Sequence, residues 1–211
     1  MDKFMARAYL RFVFGFVGIF AVATMLSGCF QATNKFYEDS DIITDNRFEG
    51  SFEPQRADND PSIKCSALVK LDRHNHYTIT VREVDDWIKL DAVLFKAGTN
   101  LFVDLSQLED NKKHSPKGEF SQIEYLRQGT ADKNHVAIRF EFKENGLEGH
   151  IAIGAPFVRA LLKDRTLKTR PVDDHFAVLL EPTETLRSFL VKIGNDPSVY
   201  MQTAMWLRSN E

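Results

Sequence analysis

NHVAIRFEFKENGLEGHIAI, residues 134–153, is the stretch that decides how the chain folds. Val136, Ile138, Phe140 and Phe142 fall on one phase, and His135, Arg139, Glu141 and Lys143 on the other. Side chains of a strand point alternately to its two faces, so a period of two marks a strand with one apolar side. Glu144-Asn145-Gly146 then supplies a turn, after which Leu147, Gly149, Ile151 and Ile153 resume in phase. Two alternating runs joined by Asn-Gly predict a β-hairpin.

The same pattern extends upstream. Arg47–Glu53 alternates Phe48, Gly50 and Phe52 with polar residues, and 64–71 sets Cys65, Ala67, Val69 and Leu71 against Lys64 and Lys70. His76–Val84 places Tyr77, Ile79 and Val81 on one face. Trp87–Ala97 is apolar in both phases, which predicts a bulge or cover on both sides. Gly98-Thr99-Asn100 turns it into Leu101–Leu105, and a polar loop over 107–119 precedes a further strand near 121–127. His175–Leu180 reads as the closing strand. Helices are expected over 156–163, after Pro156, and over Thr183–Ile193, where Leu186, Phe189, Leu190 and Ile193 share a face. Thr183 is the expected N-cap, Gly194 the C′ residue, and Ser198–Leu207 a short last helix. The fold class expected is mainly β: an antiparallel barrel, or closely related sandwich, with two or three short helices in one domain over 47–211.

The N-terminus carries a different message. Lys3, Arg7 and Arg11 precede an uncharged run from Phe12 to Leu26, too short for a spanning helix of roughly 20 residues. The run ends in Leu26-Ser27-Gly28-Cys29, which resembles the bacterial lipobox. The resemblance implies a lipoprotein signal peptide over 1–28 and lipid attachment at Cys29, whose acyl chains (such as palmitate) anchor the chain to a membrane. Each buried methylene contributes roughly 0.8 kcal/mol, so two or three chains hold effectively permanently. Phe30 rather than Asp follows Cys29, which in a Gram-negative cell implies the outer membrane, facing the periplasm. Residues 30–46, FQATNKFYEDSDIITDN, read as a polar tether spanning about 20–25 Å, with Phe36-Tyr37 free to dock on the domain or touch the membrane.

The strand pattern over roughly 45–195 resembles lipocalin or calycin-like barrels of bacterial lipoproteins. The residues that carry this are the opening strand Phe48–Phe52, the hairpin Ala92–Leu105 and the late helix Thr183–Ile193. Where lipocalins have Gly-x-Trp, this strand has Gly50-Ser51-Phe52. A barrel of about eight strands either fills with side chains or holds one small ligand. The first expectation is a cavity for a small apolar or amphipathic molecule lined by Tyr77, Ile79, Val81, Val136, Ile138 and Phe140. The alternative is a structural or assembly lipoprotein that meets an envelope protein.

No catalytic residue, cofactor or metal ligand is assigned. No nucleophile-elbow, phosphate-loop, zincin or Cys-x-x-Cys motif is present. Cys65 reads as a core residue. Asp72, His74 and His76 have the spacing of metal ligands on a strand, but lie where a solvated hairpin tip is expected. Asp173-Asp174-His175 reads as a solvated loop. Asp104, an acid in an apolar strand, is expected to face water from outside the barrel; a pocket acid with a raised pKa is the other reading. Arg159, Lys163, Arg165, Lys168 and Arg170, offset only by Asp164, read as a soluble helix face and loop or as a patch for anionic lipid. Without residues 1–28 the chain has 24 basic and 29 acidic residues, a formal charge of −5 that opposes nucleic-acid binding.

Overall fold

The computed structural model describes residues 30–55, 65–72, 74–83, 86–110, 126–127, 130–151, 167–171, 177–196, 199–200 and 202–209. The strands are β1 (Phe30–Ala32), β2 (Gly50–Pro54), β3 (Cys65–Leu71), β4 (Tyr77–Glu83), β5 (Asp86–Ala97), β6 (Asn100–Asp110), β7 (His135–Lys143), β8 (Gly146–Ile151), β9 (Thr169–Pro171), β10 (Ala177–Leu179) and β11 (Gln202–Arg208). One α-helix, α1 (Thr183–Ile193), lies between β10 and β11.

Strands β2 to β8 pair in succession, and β11 pairs with both β8 and β2, closing an eight-stranded antiparallel barrel. The predicted 134–153 hairpin is present as β7 and β8, with Phe142 opposite Leu147. In the β5–β6 hairpin the two-residue turn begins at Gly98, whose φ of +63° is a left-handed conformation open to glycine without steric cost. Strand β5 has both predicted features: the pairing shifts between Lys89 and Leu90, and Ala92 through Phe95 are buried on both faces.

The closing strand is a correction. Gln202–Arg208, expected to be helical, is β11 and seals the barrel, whereas Ala177–Leu179 is β10 and lies outside it. Strand pairing on both edges of β11 overrides the helix propensity of its Ala, Met and Leu residues. Among the described residues α1 is the one α-helix of full extent, not two or three; Leu126 and Arg127 are helical where a strand was expected, and the expected helix at 156–163 lies outside the described residues.

One edge of β7 is divided. Arg139–Lys143 pair with β8, but His135–Ala137 pair with β1. Strand β1 also runs parallel to β10, and β10 antiparallel to β9, so a three-stranded flap leaves the barrel at this seam. The segment expected to be a tether is therefore docked: Phe36 is fully buried, and Tyr37 nearly so.

Two cores result. Inside the barrel, Phe48, Phe52, Cys65, Val69, Tyr77, Val81, Leu90, Leu94, Leu105, Val136 and Phe140 pack together. Outside it, Val93, Phe95, Phe102 and Ala137 pack under Phe36, Tyr37 and the apolar face of α1. Leu186 and Leu190 of that face are fully buried, each contributing roughly 1.5–3 kcal/mol. Pro182, not Thr183, holds the N-cap position of α1. Gly194 caps its C-terminus with an ordinary right-handed φ of −57°. The site needs glycine for space instead, because a Cβ there would lie 2.6 Å from the Asn100 side-chain nitrogen.

Candidate functional site

The six residues expected to line a cavity do face the barrel interior together. Tyr77, Val81, Val136 and Phe140 are buried in one cluster, against which Ile79 and Ile138 pack partly buried. Their neighbours are one another and a set of rings. Phe48, on a 3-10 turn over Asn46–Phe48, meets Tyr77 edge-on at 4.9 Å and Phe140 at 5.4 Å, and Phe140 meets Phe142 at 5.2 Å. The Tyr77 hydroxyl accepts from the Asp45 N–H at 2.8 Å, and the Asp45 side chain in turn accepts from the Arg47 N–H. At this rim the Arg208 guanidinium donates to the Glu49 and Arg47 carbonyls, each at 2.7 Å. Towards the opposite rim Leu126 packs on the same cluster, and Arg127 grips Asp110 with two contacts of 2.6 Å.

The polar chemistry sits on the outer wall. Asp104 points outward from β6 as alternation predicts, but it does not face water: it is 2% exposed. The arm covers it. One carboxylate oxygen accepts from the Phe36 N–H at 2.9 Å, and the other lies 2.8 Å from His135 Nδ1 on β7. Burial pushes the Asp104 carboxyl above its ordinary value, against the pull of His135. Burial also disfavours charge on His135, yet the Asp104 hydrogen bond and field carry its pKa above the usual imidazole value. Asp91, on the same outer face of β5, adds to that field and meets His76 Nδ1 at 3.1 Å. Tyr37 stands over these acids, its hydroxyl pKa raised by burial and then by Asp104 and Asp91. A second buried acid, Asp41, receives two 2.7 Å contacts from Arg187 of α1. Burial pushes Asp41 up, but Arg187 and the Glu38 N–H hold it below the usual carboxylate range.

A carboxylate that orients an imidazole can serve a general base. Here the carboxylate also holds the arm backbone, which makes the pair a fastening. Asp104 stands out in the sequence as an acid in an apolar strand, but His135 lies on the polar phase of its strand, and only the β6–β7 register brings the two together.

A third cluster lies on the outer face of the 134–153 hairpin. Glu141, Glu148 and His150 offer one ligand atom each within 4.8 Å of one another, the only such metal-capable group among the described residues. Its charge is already matched within the protein. Lys143 lies 2.9 Å from Glu141 and 2.5 Å from Glu148, and Arg139 lies 3.0 Å from Glu141. His150 Nε2 is 3.2 Å from Glu141 without making a hydrogen bond, and burial followed by Arg139 lowers its pKa.

The remaining candidates separate. Asp72 and His74 are exposed at the β3–β4 hairpin tip, while His76 turns to Asp91. Cys65 is buried in the barrel. Lys168 and Arg170 are exposed on the flap; Arg159, Lys163, Arg165 and Asp173–His175 lie outside the described residues, as does Cys29. No described helix is long and apolar enough to cross a membrane. Compared with protein families, with curated proteins and with solved structures, the chain gave no match.

Proposed function

We propose that this chain is an exported lipoprotein, acylated at Cys29 and held at a membrane of the cell envelope, with a barrel compatible with a lipocalin-like fold. In a Gram-negative cell the reading is the periplasmic side of the outer membrane. The observation that carries it is Leu26-Ser27-Gly28-Cys29, placed between an uncharged run and the first strand of the folded body. Replacing Cys29→Ala is expected to abolish labelled-palmitate incorporation and release the chain from the membrane fraction. Labelling that survives the substitution overturns the reading.

Within this reading the barrel acts as a solid body whose outer surface meets an envelope protein. The support is the packing of Tyr77, Val81, Val136 and Phe140 on Phe48 and Phe52, which uses the would-be lining as core. No catalytic or cofactor role is proposed. Native mass spectrometry of the full lipidated chain is expected to show polypeptide and acyl mass alone. A stoichiometric additional small molecule restores the carrier reading.

A further inference from the structure

We infer that the β9 edge of the β9–β10–β1 flap is the side this barrel sets against the bilayer, with Lys168 and Arg170 meeting anionic headgroups around the exposed Leu180. The inference rests on lipid attachment at Cys29 and adds an orientation to it.

The leash between anchor and sheet is short. Phe30 already belongs to the sheet, paired with Ala137, and Gln31 is held between Val136 of β7 and Val178 of β10. Consecutive Cα atoms are about 3.8 Å apart, so an acylated Cys29 is a single residue away from the flap. A flexible tether would let any side of the barrel face the membrane. One residue does not, and the surface around β1 is drawn to the headgroup layer.

That surface carries positive charge. Arg170 pairs with Val178, which pairs with Gln31, so Arg170 stands two strands, roughly 10 Å, from the arm. Lys168 and Arg170 are in phase, and the Leu180 N–H donates to the Lys168 carbonyl at 2.9 Å. Both cations are exposed, and Leu180 is 41% exposed beside them. Among the described residues, the adjoining acid Glu181 is buried and accepts from the Lys168 N–H, so its charge is turned inward. Glu184 lies in the first turn of α1, and Asp39 on the arm is paired with Lys35. An exposed leucine beside two basic side chains suits an interface where hydrocarbon gives way to anionic headgroups.

The flap is also fastened to the lipid-bearing end. The Thr33 N–H donates to the Leu179 carbonyl at 3.1 Å, and Asn34 Nδ2 to the Glu181 carbonyl at 2.9 Å. Anchor, arm and basic strands therefore move together. A body of formal charge −5 is repelled by an anionic leaflet, so a local basic face beside the anchor fixes which side approaches.

The test uses full-length chain, matured and lipidated in cells and reconstituted into phosphatidylcholine vesicles with or without phosphatidylglycerol. A fluorophore is placed at Leu180→Cys or, at the rim where β3 ends, at Leu71→Cys; both positions are exposed, Cys65 is buried and Cys29 is acylated. Quenching by headgroup-labelled lipid is expected to be about twofold or more stronger at 180 than at 71 with phosphatidylglycerol present. Lys168→Glu with Arg170→Glu is expected to bring the two probes together, leaving palmitate labelling and vesicle flotation unchanged. Equal quenching in the parent chain, or stronger quenching at 71, overturns the orientation. A contrast that survives both charge reversal and omission of phosphatidylglycerol overturns the headgroup contact. Absence of palmitate and of flotation in the parent chain instead overturns the lipoprotein reading, a separate failure.

Discussion

The two sides of β5, β6 and β7 bury their residues by different means. On the inner side, Leu90, Leu94, Leu105, Val136 and Phe140 meet residues from strands that follow one another along the chain. On the outer side, Val93, Phe95, Phe102 and Ala137 are covered by two segments far apart in sequence, the arm after Phe30 and α1. The described inner core is apolar, with polar groups at its rims. The outer one holds Asp104 against His135 and the Phe36 N–H, and Asp41 against Arg187. A meander closes on its own inner face because each strand brings its neighbour. A cover that arrives from a distance can settle in several registers, and a buried carboxylate with two required partners leaves one of them unpenalised.

The sharpest way to test that contrast is to remove one ring from each side. Phe140→Ala deletes an inner ring that touches Phe48 and Phe142, and a loss of about 3–5 kcal/mol is expected in urea unfolding of the full chain. Phe95→Ala removes an outer ring stacked on Phe102 at 5.6 Å, with a similar cost expected. A loss below about 1 kcal/mol at Phe95 would show that the arm and α1 are a loose cover, not a second core.

What could be read in the sequence follows the same division. Strands β2, β3, β4, β7 and β8 announce themselves by alternation, β5 and β6 by apolar runs on either side of Gly98-Thr99-Asn100, and α1 by the spacing of Leu186, Phe189, Leu190 and Ile193. The arm does not, because its anchoring contacts are a three-residue strand, two rings and backbone hydrogen bonds within a polar stretch. Strand β11 was hidden for another reason. QTAMWLR has no alternation to mark it, and its place is set by the open edges of β8 and β2. Asp104 shows the limit most clearly: alternation gives its direction correctly, but direction is not exposure, and what covers that wall comes from elsewhere in the chain. The hairpin cluster of Glu141, Glu148 and His150 was closer to legible, since the Asn-Gly turn fixes which outward residues face each other.

The Asp104 fastening can be cut separately. Asp104→Ala leaves the Phe36 N–H and His135 without their buried acceptor, and a loss of about 3 kcal/mol is expected. Amide exchange should rise in residues 30–42 and in α1 before it rises in β3 and β4. Exchange that accelerates equally in all of them would mean that the arm and barrel form one cooperative unit.

Acidity offers a finer cut, because the fastenings respond with opposite signs. The Asp41 carboxyl lies below its ordinary value, so its contribution is present above that value and lost as pH falls through the lowered one. The His135 pKa lies above the ordinary 6.5, so the folded chain holds a proton there that the unfolded chain has released. Its contribution is complete below about pH 6.5 and disappears as pH rises through the folded value. Asp104, also raised, shifts stability in the same direction. Urea midpoints measured from pH 6 upward should therefore fall more steeply for the parent chain than for His135→Gln, which keeps a donor near Asp104 but has no proton to lose. Parallel slopes would show that Asp104 and His135 hold the arm as a neutral hydrogen bond. The outer core would then differ from the inner one in polarity alone, and not in its response to pH.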